Sequence, residues 1–390
     1  MYAKIISMLF YMFFTCVVFN PQISGVTIYL YVILPMLDPG FISFLTVTFR
    51  RWAIPLAVAV VIALLSSPMV AARIVSIAIC VGYLAYTFSK RIDYLNLWMA
   101  INILFAIVQF IAYYVDYDLS VQLGPNAVSQ MLWGASATQT NTNFYEILFF
   151  ARVCGFSREA GFFASLLAAS FVLYLMQERP KSKVMIMLYC IGLVISFSKA
   201  SLVLVIFALL YFMRRQLRTI HPLVSLICFT AISMGIALYM SEHNFFDSPT
   251  FAHRFAGYPF MLDARFTDLI RGVTAAQLNA EYDYLPYIHM NADLYVQNDV
   301  TFSSVPGLVG DMGIVAGLAM AGVLAFTAGD GFVILLFLLV TATVSITMVT
   351  SFVPLAYLIC YWPRIAAYNA QQRQRPHVPA GRGASVFRPT

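Results

Sequence analysis

The stretch Arg152-Val-Cys-Gly155-Phe-Ser-Arg158-Glu159-Ala-Gly161 sets three charges directly before an apolar run that continues to Met176. Charge beside a bilayer costs free energy unless it has a partner or a task. The run therefore reads as a membrane helix, and the charges at its entrance as a candidate working site. With 61% hydrophobic residues, 10% charged residues and a mean hydropathy of +0.82, the 390-residue chain is too apolar for a soluble protein. Backbone amides in hydrocarbon must be satisfied within the spanning structure, which leaves helices or a closed barrel. The apolar runs match the ~20 residues that a crossing helix needs and not the ~10 of a barrel strand. The expected fold class is all-α, a polytopic integral membrane helical bundle.

Candidate spans cover residues 4–20, 23–47, 52–67, 69–88, 93–115, 160–177, 183–197, 200–213, 222–240, 304–327, and one or two within 331–362, which predicts about 11–12 transmembrane helices. The first run ends in Asn20-Pro21-Gln22 without a small-x-small cleavage pattern and reads as a retained helix. Lys4, Arg50-Arg51, Lys90-Arg91, Arg179/Lys181/Lys183 and Arg214-Arg215/Arg218 fall in alternate short connections, the pattern of cytoplasmic loops. A membrane domain of residues 1–363 is predicted with its N-terminus inside, followed by a basic, disordered cytoplasmic tail over 364–390. An inside tail requires an even number of spans and splits 331–362 into a tight final pair. The net charge of +6 is mostly this topology signal and the tail, not a nucleic-acid surface. The six cysteines are scattered singly, with neither a disulfide framework nor a zinc pattern.

Two long segments, about 116–159 and 241–303, are left outside. The first is rich in amides and hydroxyls, among them Gln122, Asn126, Gln139 and Asn141, which suit either a lattice of sugar hydroxyls or an ordinary solvated loop. The second carries His243, His253 and His289, three arginines, eight carboxylates and many Phe and Tyr residues. Aromatics mixed with carboxylates stack on sugars, or form an interfacial belt. Leu262, Phe266, Leu269, Ile270 and Val273 recur at helical spacing and predict an amphipathic helix over about 261–281, with Asp268 pairing Arg265 and Arg271. Arg152, Arg158, Lys199, Arg254, Arg265 and Arg271 all oppose the positive-inside bias. Guanidinium groups grip phosphate oxygens through two parallel hydrogen bonds, so outward arginines fit a diphosphate-linked lipid. Pairing with loop carboxylates is the competing reading, and for Glu159 so is a simple charge at a helix N-terminus.

Arg152-x-x-Gly155-x-x-x-Glu159 resembles the outer-face Arg-Gly-Glu motif of the O-antigen polymerase and ligase superfamily of bacterial polysaccharide assembly. Ser196-Phe-Ser198-Lys199-Ala-Ser201 is similar to that family's Ser-Arg turn, with Lys199 where Arg is usual. Val309-Gly-Asp311-x-Gly313-Ile-Val-x-Gly317 is similar to its acidic-x-Gly-hydrophobic-Gly segment. The likeness covers about residues 90–360, and it departs at Ala160, where the family has Pro. It implies a multi-pass protein of the bacterial inner membrane with its active site facing the periplasm. The implied activity is that of a glycosyltransferase polymerising undecaprenyl-diphosphate-linked units, without cofactor or metal. Its implied partners are the lipid-linked glycan, membrane lipid, and a flippase and chain-length regulator of the same pathway. Implied catalytic residues are Arg152, Arg158, Glu159 and, from the ligases, His289. Lys199, Arg254, Asp293 and Asp311 are the implied substrate-binding residues. Transfer to a lipid A core sugar, as by a ligase, and flipping of the same lipid, as by a transporter, are the competing functions.

Overall fold

Helix is the local solution that the chain adopts wherever apolar residues run together, because only helices pair every backbone amide within their own segment. The computed structural model describes residues 1–23, 26–48, 53–138, 145–147, 150–196, 206, 209–247, 249–289, 302–342 and 344–374. Among these the protein is all-α apart from two short antiparallel hairpins, β1 (Gln22–Ile23) with β2 (Val26–Thr27) and β3 (Tyr145–Ile147) with β4 (Phe150–Arg152). The first helices are α1 (Tyr2–Thr15), α2 (Pro39–Thr48), α3 (Ala53–Ser66), α4 (Pro68–Lys90) and α5 (Leu95–Val115). After the first long connection come α6 (Ala160–Met176), α7 (Lys183–Ile195) and α8 (Pro222–Glu242). The second long connection holds α9 (Pro249–Phe255), α10 (Gly257–Asp263), α11 (Phe266–Arg271) and α12 (Ala275–Glu281), and the chain closes with α13 (Ser304–Met312), α14 (Ile314–Ala328), α15 (Gly331–Thr341) and α16 (Phe352–Gln374).

Among the described residues three helices, α4, α5 and α8, are long and apolar enough to cross a membrane. The other apolar helices have 10 to 17 residues and fall short of the ~20 that a full crossing takes. Several expectations need correction here. The span at 23–47 is not one helix: β1, β2 and two short helical turns precede α2. Pro35 and Pro39 interrupt the amide ladder, while the Asp38 carboxylate accepts from Gly40 N–H at 2.9 Å to restart the helix. The span at 304–327 breaks at Gly313, whose φ of 81° is open to glycine. Lastly, the amphipathic helix at 261–281 is three helices, α10 to α12, divided at Ala264 and at Gly272, which has a φ of 86°. A reciprocal capping box between Thr274 and Gln277 starts α12. Asp268 accepts from Tyr282 OH, and Arg265 pairs instead with Glu281 at 3.2 Å, so the expected Asp268 ion pairs do not form. α16 continues to Gln374, past residue 364 where the tail was expected to begin.

The bundle has two distinct ends. At one, Arg179 pairs with Asp93 at 2.8 Å, Trp362 Nε1 donates to the Met176 carbonyl, Gly331 N–H to Ile220, and Arg364 to Phe326. Most of the basic short connections meet there. At the other end the α1 exit is tied to the first long connection: Val18 N–H donates to Phe156, Trp133 Nε1 to Phe19 and Thr138 Oγ1 to Asn20. The second connection is pinned to the same end by Val273 N–H, which donates to the Gly310 carbonyl at 2.7 Å.

Between α15 and α16 the chain leaves the helix, yet Ser345, Thr347, Thr350 and Ser351 stay buried. Non-helical backbone at such depth survives only when protein satisfies it. Ser345 and Thr347 hydroxyls both donate to buried Asp311 on α13, and Ser304 N–H donates to the Val344 carbonyl. At Gly317 a Cβ would stand 2.7 Å from the Leu308 carbonyl oxygen, because α13 folds closely over α14. Gly317→Val forces these backbones apart and is expected to cost about 1–3 kcal/mol. Thermal unfolding of the detergent-purified protein would show this as a lowered midpoint, and an unchanged midpoint would refute the close crossing.

Candidate active site

Arg152 ends β4, where it sits opposite Tyr145, and Ala151 N–H donates to Tyr114 OH on α5. The chain then turns sharply at Gly155, whose φ is 57°. Two buried amides of α5 hold this turn. Gln109 accepts from Gly155 N–H at 2.8 Å and donates to the carbonyls of Gly155 and Leu123. Asn102 accepts from Phe156 N–H at 2.8 Å and donates to the Thr15 carbonyl. A Cβ on Gly155 would lie 2.1 Å from Asn102 Oδ1, so only glycine fits the turn. Phe156 stacks on Phe105 with ring centroids 3.9 Å apart, closing the turn against the helix. Sequence reading had not singled out Asn102 and Gln109. The available signal was two amides seven residues apart, and so on one face, inside an apolar helix.

Glu159 is the N-cap residue of α6, but its side chain makes no capping hydrogen bond. Glu159 keeps exposed surface while protein crowds the space around it. Desolvation is the largest influence and pushes its pKa above the ordinary 4.5, while Arg152, Arg158 and Arg254 pull it back in part. Arg254, on α9 of the second connection, is also crowded. Burial and the neighbouring Arg152 work against its charge, and Glu159 supports it. Residues a hundred positions apart thus share one electrostatic site. Among the described residues, the charges of Arg152, Arg158 and Arg254 all act on the Glu159 carboxylate.

Arg158 donates through Nη2 to Thr27 Oγ1 on β2. Beneath it lies a cavity of about 30 Å³ lined by residues including Ser157, Arg158, Phe162, Met348, Thr350 and Phe352. The buried Ser157 Oγ, Arg158 Nε and Thr350 Oγ1 have no hydrogen-bond partner among the described residues. Such groups each carry a desolvation penalty of roughly 1–3 kcal/mol. A space of this size, apolar apart from these few atoms, takes one water or one oxygen of a larger anion.

The remaining predicted residues stand apart. His289 is exposed and pairs through Nδ1 with Asp283 at 2.8 Å. Asp311 is buried on α13 and accepts from the Ser345 and Thr347 hydroxyls, which tie it to the 344–351 segment. Lys199 and Asp293 lie outside the described residues, as does the amide-rich stretch 139–144. No protein-family model, curated protein or solved structure matches the chain. The site must therefore be read from its own chemistry.

Gln109→Leu removes the partners of both Gly155 backbone groups and is expected to cost about 1–3 kcal/mol, seen as a lower unfolding midpoint together with weakened pyrophosphate binding. A loss of stability with unchanged pyrophosphate binding would show that the turn does not position the arginines.

Proposed function

We propose that this chain is a polytopic membrane glycosyltransferase of the bacterial inner membrane that polymerises undecaprenyl-diphosphate-linked oligosaccharide units at the periplasmic face. The carrying observation is the convergence of Arg152, Arg158 and Arg254 around Glu159 at the end of the bundle opposite most of the basic connections. Three guanidinium groups suit a diphosphate, which presents several anionic oxygens at once. The apolar helices flanking the site give the lipid part of such a substrate an environment that a soluble enzyme lacks. Helices of 10 to 17 residues would complete the crossings together with the buried segments that adjoin them.

In the proposed reaction an acceptor sugar hydroxyl attacks the anomeric carbon of the glycan on the lipid carrier. The bond from that carbon to the diphosphate oxygen breaks, and its electron pair stays on the diphosphate. Arg152, Arg158 and Arg254 hold the charge that develops on this leaving group. Glu159 takes the proton of the attacking hydroxyl, a task favoured by its raised pKa, which brings a carboxylate closer to the operating pH. Polymerisation is preferred to ligation because the sequence around His289 matches the ligases' large-loop His only poorly.

Purified protein in detergent is expected to lengthen a lipid-diphosphate-linked oligosaccharide, and Glu159→Gln to lower turnover at least a hundredfold, within the range for a general base. Absence of lengthening by the wild type, or full turnover by the variant, would defeat the proposal. The pH dependence has a defined sign. Because the Glu159 pKa is raised above 4.5, turnover should fall as pH drops through that raised value, where the base becomes protonated. Protonation also removes the Glu159 negative charge, so diphosphate binding should tighten over the same interval. Glu159→Gln should abolish both trends. A binding trend of the opposite sign in the wild type would contradict the charge balance.

A further inference from the structure

The second long connection is rich in charge, yet part of it is apolar on its outside. Leu262, Phe266 and Ile270 are all exposed, Phe266 by 72%. Phe266 and Ile270 stand one turn apart on α11 and so share a face. The other sides of α11 are taken up within the protein. Leu269 is buried, Asp268 accepts from Tyr282 OH, and Arg265, at the start of the helix, pairs with Glu281 of α12. The face of Phe266 and Ile270 is turned away from these contacts.

The level of this face is fixed by what its backbone touches. Val273 N–H donates to the Gly310 carbonyl, and a Cβ on Gly313 would stand 2.0 Å from the Ile270 carbonyl oxygen. Gly313 is the break from which α14 starts. Ile270, Arg271 and Gly272 also line an open cavity of about 480 Å³ together with Ile62 and Leu65 at the end of α3. α11 therefore lies where α3 ends and α14 begins. Neither of those helices carries a charged residue, and both turn apolar side chains outward at this level, Leu65 exposed by 84% and Val315 by 73%. On a membrane bundle such side chains meet hydrocarbon. Phe266 and Ile270 extend that apolar surface at its rim, and the exposed Arg271 follows directly. An apolar face with a cation beside it, set at the rim of a lipid-facing surface, has the chemistry of an interfacial segment.

We propose that α11 docks on the surface of the phospholipid bilayer at this end of the bundle, with Phe266 and Ile270 among the upper acyl chains and Arg271 among the lipid phosphates. The membrane is then one of the supports of the second connection. The effect reaches Arg254, because α9 runs into α10 through Phe260 N–H, which donates to the Ala256 carbonyl, and α10 runs on to α11 through Ala264 N–H, which donates to Phe260. A leaflet that holds α11 thereby sets the height of Arg254 relative to the lipid phosphates. That consequence rests on the glycosyltransferase reading, whereas the docking does not.

The test attaches a nitroxide to the full-length protein in nanodiscs of dioleoyl phosphatidylcholine, with the two exposed cysteines removed as Cys190→Ser/Cys228→Ser. Oxygen concentrates in hydrocarbon and a nickel chelate in water, so the ratio of their collision rates with the label reports its depth. An interfacial helix buries its apolar face ~5–10 Å deep, so the ratio at Phe266→Cys should be about fivefold or more above that at Asp283→Cys, an exposed acid of the same connection. Phe266→Glu/Ile270→Glu should bring a label at Leu262→Cys down to the Asp283→Cys ratio, with the unfolding midpoint confirming that the variant is folded. Equal ratios at 266 and 283, or a label at 262 that ignores both glutamates, would overturn the docking. So would dipolar broadening between labels at 266, which would show a second copy of the chain on this face instead. Failure of glycan lengthening with the 266 label in hydrocarbon would remove the proposed reaction and leave the docking standing. Intact lengthening with that label in water would remove the docking alone.

Discussion

Two amide side chains within an apolar helix hold the point where charge meets the membrane. Asn102 and Gln109 are buried on one face of α5, and between them they make five hydrogen bonds, three to Gly155 and Phe156 and one each to Thr15 and Leu123. In a dry interior each of these backbone groups would otherwise be orphaned, at a cost comparable to a sizeable share of a domain's net stability. Making the bonds fixes the turn at Gly155. That turn in turn fixes the directions of Arg152 before it and of Arg158 and Glu159 after it. The same amides tie the exit of α1 to the first long connection, so the end of the bundle forms as one unit.

What the turn presents is an electrostatic conflict of the kind that marks working sites. A carboxylate is crowded enough to resist ionisation although three guanidinium groups favour it, and one of those groups, on Arg254, is itself destabilised by its neighbour Arg152. Under the proposed reaction a polyanion would meet these charges, and a proton taken up by Glu159 would shift the balance further.

Much of this was legible in the sequence. The apolar runs required an all-α fold, and the placement of Arg152, Arg158 and Glu159 before α6 marked their neighbourhood. Arg254 was brought in as an outward arginine, and the structure places it beside them across a hundred residues. Other features rest on contacts that no local pattern encodes. The 23–47 span failed because Pro35 and Pro39 outweighed hydropathy. The 261–281 helix failed because side-chain periodicity is blind to a glycine at φ 86°. Asp311 was singled out through the resemblance of its acidic-x-Gly segment, while its partners, Ser345 and Thr347, lie more than thirty residues downstream in a segment that hydropathy alone assigns to a helix. Asn102 and Gln109 were visible as amides in an apolar run, but their target, the Gly155 turn, is set by tertiary packing.

The convergence of Arg254 on Glu159 can be measured directly by following the Glu159 carboxyl through a pH titration with infrared difference spectroscopy, its band assigned by its absence in Glu159→Gln. Arg254 favours the ionised carboxylate, so Arg254→Ala should move the Glu159 pKa further above its wild-type value. An unchanged or lowered Glu159 pKa in Arg254→Ala would show that the two residues do not share a site.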